Sequence, residues 1–146
     1  MLRPIPIGIV LVGLTVAIHA VGSIYWLHFL ARHFPAFDHP WRTRAALMSA
    51  AIVLLMLHVV EVFLWALTYM ALPGLDNLET LEKAVYFSMV TFTGLGYGDI
   101  TLGLRWRWLS GIEAMNGILL FGWTTAMLFW VVQKVATDIK RSHEPS

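Results

Sequence analysis

The decamer Thr91-Phe92-Thr93-Gly94-Leu95-Gly96-Tyr97-Gly98-Asp99-Ile100 decides how this chain is read. Glycine takes every second position from 94 to 98. Glycine reaches left-handed backbone conformations without steric cost, so successive residues can alternate in hand. In such a ribbon the carbonyl oxygens can all turn to one side. A ring of those oxygens can replace the water shell of a monovalent cation. One strand supplies only a quarter of a ring, so the reading requires four chains meeting on an axis.

Working outward, residues 78–92 read as a short helix that leads straight into the glycines. Asp76, followed three residues later by Glu79, resembles a capping box and marks its start. Fifteen residues make a helix roughly 22 Å long, too short to cross a bilayer. Three other stretches are long enough. Residues 7–30, 45–72 and 108–135 carry almost no charge and run for 24, 28 and 28 residues. Each exceeds the roughly 18–20 apolar residues that a crossing needs. Pro73-Gly74 stops the second. The first is longer than the apolar region of a signal peptide and lacks a good cleavage site, so it reads as a retained helix. A short helix and Gly-rich backbone between two spanning helices read as a re-entrant loop, because irregular backbone at membrane depth must be buried in protein or line an aqueous path.

Gly96-Tyr97-Gly98-Asp99 resembles the selectivity filter of potassium channels, the system in which carbonyl selectivity is best described. The likeness extends to Ala84-Val85-Tyr86-Phe87-Ser88-Met89-Val90-Thr91-Phe92-Thr93, which is similar to the pore helix of that family. Gly117-Ile118-Leu119-Leu120-Phe121-Gly122, with Thr125-Ala126, resembles the inner helix of bacterial two-helix channels. The resemblance implies an all-α integral membrane homotetramer. Each subunit would have three transmembrane helices, a re-entrant pore helix and a filter loop. The implied filter is Thr93, Gly94, Leu95, Gly96, Tyr97, Gly98 and Asp99, with K+ held at Gly94, Leu95, Gly96 and Tyr97. The family places Thr before a Val/Ile-Gly-Tyr-Gly run. Here Gly94 and Leu95 stand in those places, so the innermost ion site is expected to be altered. Tyr97 is expected to pack on Tyr86 and Phe87 as an aromatic cuff.

Further candidates follow from position. Ile118, Phe121, Thr125 and Phe129 share one face of the last helix at spacings of three and four and are expected to line a cavity below the filter. Gly117 and Gly122 permit bending, as a gating hinge, or close helix approach. His19, His58 and Glu61 lie near the centres of the first two spans, and His58 and Glu61 share a helix face. Ionisable groups at that depth face the protein interior. Two uses are open, an intramembrane proton sensor or a structural pin. Haem ligation by His19 and His58 is a competing use, and a zinc site would need a third or fourth ligand. Glu113 is expected behind the filter or paired with Arg105 or Arg107. Trp41, Trp106 and Trp108 suit interfacial belts.

Composition narrows the class. Hydrophobic residues make up 58% of the chain, and 10 Lys+Arg against 9 Asp+Glu leave a net charge of +1. That excludes a soluble enzyme, a disordered regulator and a basic nucleic-acid binder. The absence of cysteine excludes a disulfide scaffold and thiolate chemistry. No Arg-every-third-residue helix exists to sense voltage. A filter opening outward puts the N-terminus outside and the C-terminus in the cytoplasm, within the plasma (cell inner) membrane. Arg32, Arg42, Arg44, Lys134, Lys140 and Arg141 then lie inside, and Arg3, Lys83, Arg105 and Arg107 outside, the bias expected of the positive-inside rule. The expected organisation is an N-terminal helix and connector (1–44), a pore domain (45–135) and a short cytoplasmic tail (136–146). The pore domain comprises outer helix 45–72, pore helix 78–92, filter 93–99 and inner helix 108–135. The expected function is passive, potassium-selective permeation without a cofactor, a small-molecule substrate or an enzymatic step. The alternatives are a weakly selective monovalent cation channel and a haem-binding or structural membrane subunit.

Overall fold

In the computed structural model the chain is described over residues 4–33 and 39–143, with backbone alone at Pro40, Ile139 and residues 141–143. Arg3, Pro35, Asp38, the Arg141 side chain and residues 144–146 fall outside that description. The described residues form four α-helices and no strand: α1 (Pro4–His33), α2 (Pro40–Ala71), α3 (Leu81–Phe92) and α4 (Arg107–His143). The three long helices are apolar enough to cross a membrane. At about 1.5 Å per residue each exceeds the roughly 30 Å hydrocarbon thickness, whereas α3 reaches only about 18 Å.

Several boundaries differ from the sequence reading. The polar residues expected as a connector are largely helical, because α1 runs through His33 and α2 begins at Pro40. Residues 136–143 continue α4 instead of forming a separate tail. Asp76–Leu78 is a 3-10 turn, and α3 starts only at Leu81. Thr80, not Asp76, caps α3: its hydroxyl accepts the Lys83 backbone N–H at 3.3 Å. The Thr80 backbone is extended, which aims the side chain back over the first turn.

Helix packing inside lipid gains little from apolar burial alone, so small residues and hydrogen bonds carry much of the specificity. One buried cluster gathers Trp65, Tyr69, Leu78, Phe87, Phe92 and Leu109 around α3. A second gathers Trp26, Leu30, Ala46, Ala50, Val131 and Val135 at the opposite end of the bundle. Helix α1 packs against both α2 and α4. A Cβ on Gly8 would lie 2.7 Å from the Ile112 side chain, and one on Gly22 2.4 Å from Leu57. Asn116 of α4 donates to the Thr15 hydroxyl of α1 at 2.8 Å, and both residues are buried. The outward faces carry exposed Ile9, Leu14, Ile52, Leu55 and Leu119, as a lipid-facing surface requires.

Candidate functional site

The C-terminus of α3 delivers the chain into the glycine segment. Thr93 closes the helix through its N–H to the Met89 carbonyl (3.1 Å) and its hydroxyl to the same carbonyl (2.7 Å). Gly94 and Gly96 donate backbone N–H groups to Thr91 and Val90 carbonyls at 3.0 and 3.2 Å. Beyond that point the backbone alternates. Gly94, Gly96 and Gly98 have φ of +72°, +56° and +79°, and no non-glycine residue among those described has positive φ. Three glycines therefore hold the left-handed positions that Leu95 and Tyr97, lying between them, would strain to occupy.

The segment stands open. Leu95 is 57% and Tyr97 66% exposed. A groove of about 430 Å³ runs beside it, lined by Val90, Gly94, Gly96, Gly98, Arg107 and Gly111 among others. Within one chain the expected cuff does not close. Phe87 packs edge-on against Tyr69 of α2 with centroids 5.1 Å apart, and among the described residues no ring contact joins Tyr97 to Tyr86 or Phe87. Tyr86 instead donates its hydroxyl to the Asp99 carboxylate at 2.8 Å, clasping the outer end of the segment. That bond pushes the Tyr86 pKa above the usual 10.0, followed in effect by desolvation and the charge of Asp99.

Behind α3 lies a buried polar junction that sequence reasoning placed only in part. Glu113 of α4 is fully buried and accepts the Tyr69 hydroxyl at 2.7 Å on one oxygen. Its other oxygen makes a short bond with Ser88 of α3, and Ser88 also lies 3.0 Å from the Val62 carbonyl of α2. One carboxyl thus joins α2, α3 and α4. The expected pairing of Glu113 with Arg105 or Arg107 is corrected, and Arg105 lies over the Trp106 ring at 5.1 Å. Polar residues in apolar spans were the available signal for Tyr69 and Ser88, but nothing in spacing pairs them.

Gly117 takes one of the two roles its sequence position allowed. A Cβ there would sit 1.8 Å from the Phe92 carbonyl oxygen and 2.7 Å from its carbon. Close approach of α4 to the C-terminus of α3 therefore demands glycine. Gly122 has nothing within 4 Å of its Cβ position, so no such contact restricts it. Ile118 and Phe129 are 64% and 61% exposed, and Thr125 is exposed with its hydroxyl bonded to the Phe121 carbonyl at 2.8 Å. Phe121 departs from that stripe. Its ring turns into the bundle, 4.5 Å from His58 and 5.8 Å from Phe92, so the cavity-lining expectation is corrected for this residue.

His19, His58 and Glu61 converge as one buried cluster. Glu61 accepts His19 Nδ1 on one oxygen and His58 Nδ1 on the other, each at 2.9 Å. On the far side of the rings, His58 Nε2 lies 2.9 Å and His19 Nε2 3.4 Å from Thr124 Oγ1. Thr124 was not anticipated. The two imidazoles stack 5.1 Å apart at 30°. That is not the edge-on opposition across an iron that two axial haem ligands need.

A family model described as "Ion channel" matches residues 49–134, more than half of the chain. The chain belongs to this family, whose unit is a two-helix, potassium-channel-like pore domain. It is a multi-pass membrane protein with an ion-channel fold. Comparisons with curated proteins and with solved structures found no match.

Proposed function

We propose that the chain forms a homotetrameric channel in which K+ passes down its electrochemical gradient through residues 93–99. The observation that carries this reading is the alternation of left-handed Gly94, Gly96 and Gly98 at the end of a helix too short to span. Carbonyls of Gly94, Leu95, Gly96 and Tyr97 from four copies replace the hydration shell of the ion. The open groove and the exposed Leu95 and Tyr97 suit a segment whose packing is completed by neighbouring copies. Helix α3 points its partially negative C-terminus along the chain toward the ion path. Asp76, Glu79, Glu82 and Asp99 concentrate cations at the outer mouth. Ile118, Thr125 and Phe129 line the cavity below.

The N-terminus lies outside and the C-terminus in the cytoplasm of the cell membrane. The bundle end that holds Trp26, Leu30, Ala46 and Val135 also carries Arg32, Arg42, Arg44, Lys134 and Lys140, as a cytoplasmic end should. A weakly selective cation channel is the second reading. It is favoured by Gly94, which offers a carbonyl but no hydroxyl at the inner end of the filter. Flux from liposomes loaded with K+ or Na+ separates the two. The first reading expects K+ efflux well above Na+ efflux and block by Ba2+, and comparable fluxes favour the second. Absence of flux from tetrameric protein contradicts both.

A further inference from the structure

Permeation leaves the His19–His58–Glu61 cluster without a task. We propose that it binds one divalent transition-metal ion of the zinc class, which fastens α1 to the two pore-forming spans. One ligand atom from each of the three residues lies within 4.8 Å of the others. His19 and Glu61 are fully buried and His58 is 6% exposed. Two imidazole nitrogens and one carboxylate suit a borderline ion such as Zn2+ better than Mg2+ or Ca2+, which prefer all-oxygen shells.

The hydrogen-bond geometry is close to a coordination shell. Each Nδ1 lies 2.9 Å from a Glu61 oxygen. Ligands on a tetrahedral ion with bonds of about 2.0 Å stand about 3.3 Å apart. Those two pairs need to open by only a few tenths of an ångström, and the remaining ligand separations, within 4.8 Å, need to close toward the same value. The far side of the rings is also prepared. Histidine ligands hold their orientation by donating the other ring N–H to an outer oxygen. Thr124 Oγ1 faces both Nε2 atoms, at 2.9 and 3.4 Å, and an oxygen can accept from both. Without a metal, two neutral rings that donate Nδ1–H to Glu61 present two acceptors to one hydroxyl proton, and one Nε2 is left over. Trp123 closes on His19 at 5.6 Å, and Phe92 and Phe121 on His58, so the rings have little freedom. An apolar cavity of about 140 Å³, lined by Leu55, Met89 and Phe92 among others, lies against His58 and keeps that ring away from bulk water. His19 belongs to α1, His58 and Glu61 to α2, and Thr124 to α4. The ion would thus join three helices at mid-span.

The test uses untagged full-length protein in detergent, stripped with chelator, reloaded with Zn2+ or Co2+ and desalted. Metal per chain is measured by mass spectrometry, and Co2+ by its visible ligand-field bands. Wild type is expected to retain one ion per chain, with the visible Co2+ bands of a tetrahedral site whose fourth position is filled by water. His19→Gln and Glu61→Gln are expected to lose it, while His28→Gln and His33→Gln, at exposed histidines, keep it. Thr124→Val is expected to weaken affinity about 10- to 100-fold. Helicity and oligomer size check each variant. If His19→Gln fails to fold, the wild-type Co2+ spectrum and Thr124→Val decide. Wild type that retains no ion, and whose Tm responds to acid but not to metal, overturns the proposal. Equal retention in His19→Gln and Glu61→Gln overturns it as well. Metal content is read independently of flux, so failure here leaves the permeation reading standing.

Discussion

Residues 93–99 and the His19–Glu61–His58–Thr124 cluster share Phe92 as a neighbour, yet they are built on opposite principles. In the cluster each named side chain finds its partners within the same chain, drawn from three helices. In residues 93–99 Leu95 and Tyr97 are exposed, and among the described residues the side-chain bond at the outer end is Tyr86 to Asp99. One region is finished by folding. The other is given its backbone shape by folding and, in the proposed tetramer, is completed by further copies. The two are therefore expected to respond differently to mutation: on the proposed reading, damage to residues 93–99 removes permeation with the bundle intact, and damage to the cluster loosens the bundle.

The largest effect is expected from Gly96→Ala. An alanine at φ +56° is strained by about 1–2 kcal/mol, and in the proposed channel its methyl would disturb the ion sites of every copy. K+ flux should fall more than tenfold while circular dichroism and helix content stay unchanged. Glu61→Ala is the converse. It strands the Nδ1–H donors of two buried histidines, at about 1–3 kcal/mol each in chelator-treated protein. The Tm should drop, and the K+/Na+ ratio of the folded remainder should match wild type. Gly117→Ala strikes the seam between the regions. Its methyl collides with the Phe92 carbonyl, so α4 must shift, at about 1–3 kcal/mol. Tetramer yield and flux should fall together, while Gly122→Ala, with open space around its Cβ, should match wild type in tetramer yield. Tyr86→Phe is the mildest, since it removes one exposed bond and is expected to change steady flux less than twofold. The pH dependence of that bond has a definite sign. The Tyr86 pKa is raised in the folded protein, so its stabilisation is complete below the ordinary tyrosine range and is lost as pH rises through the raised value. Wild-type flux should approach the Tyr86→Phe value only under strongly alkaline conditions.

The sequence announces the filter segment because its information is local. Alternating glycines state a backbone alternation directly, and the same positions carry the positive φ values. The three spans were equally plain from apolar runs. His58 and Glu61 were legible as neighbours through their three-residue spacing, but the completion of their cluster was not. Thr124 lies 66 residues from His58, and nothing in the spans fixes the rotation of α4 that brings it there. The same rotation decides Phe121, which sits at the edge of its stripe and turns inward. Of the two readings open for Glu113, a position behind the glycine segment agrees with its bonds to Tyr69 and Ser88 and a pairing with Arg105 or Arg107 does not; the partners themselves, on other helices, are not visible in the sequence. Gly117 carried both of its readings until the Phe92 carbonyl was placed against it.

The most direct measurement is the reversal potential of purified protein in a planar bilayer with K+ on one side and Na+ on the other. Coordination of dehydrated K+ by the main chain of residues 94–98 predicts a reversal far toward the K+ equilibrium potential, lost in Gly96→Ala. Wild-type current that reverses near zero, or that Gly96→Ala leaves untouched, contradicts it.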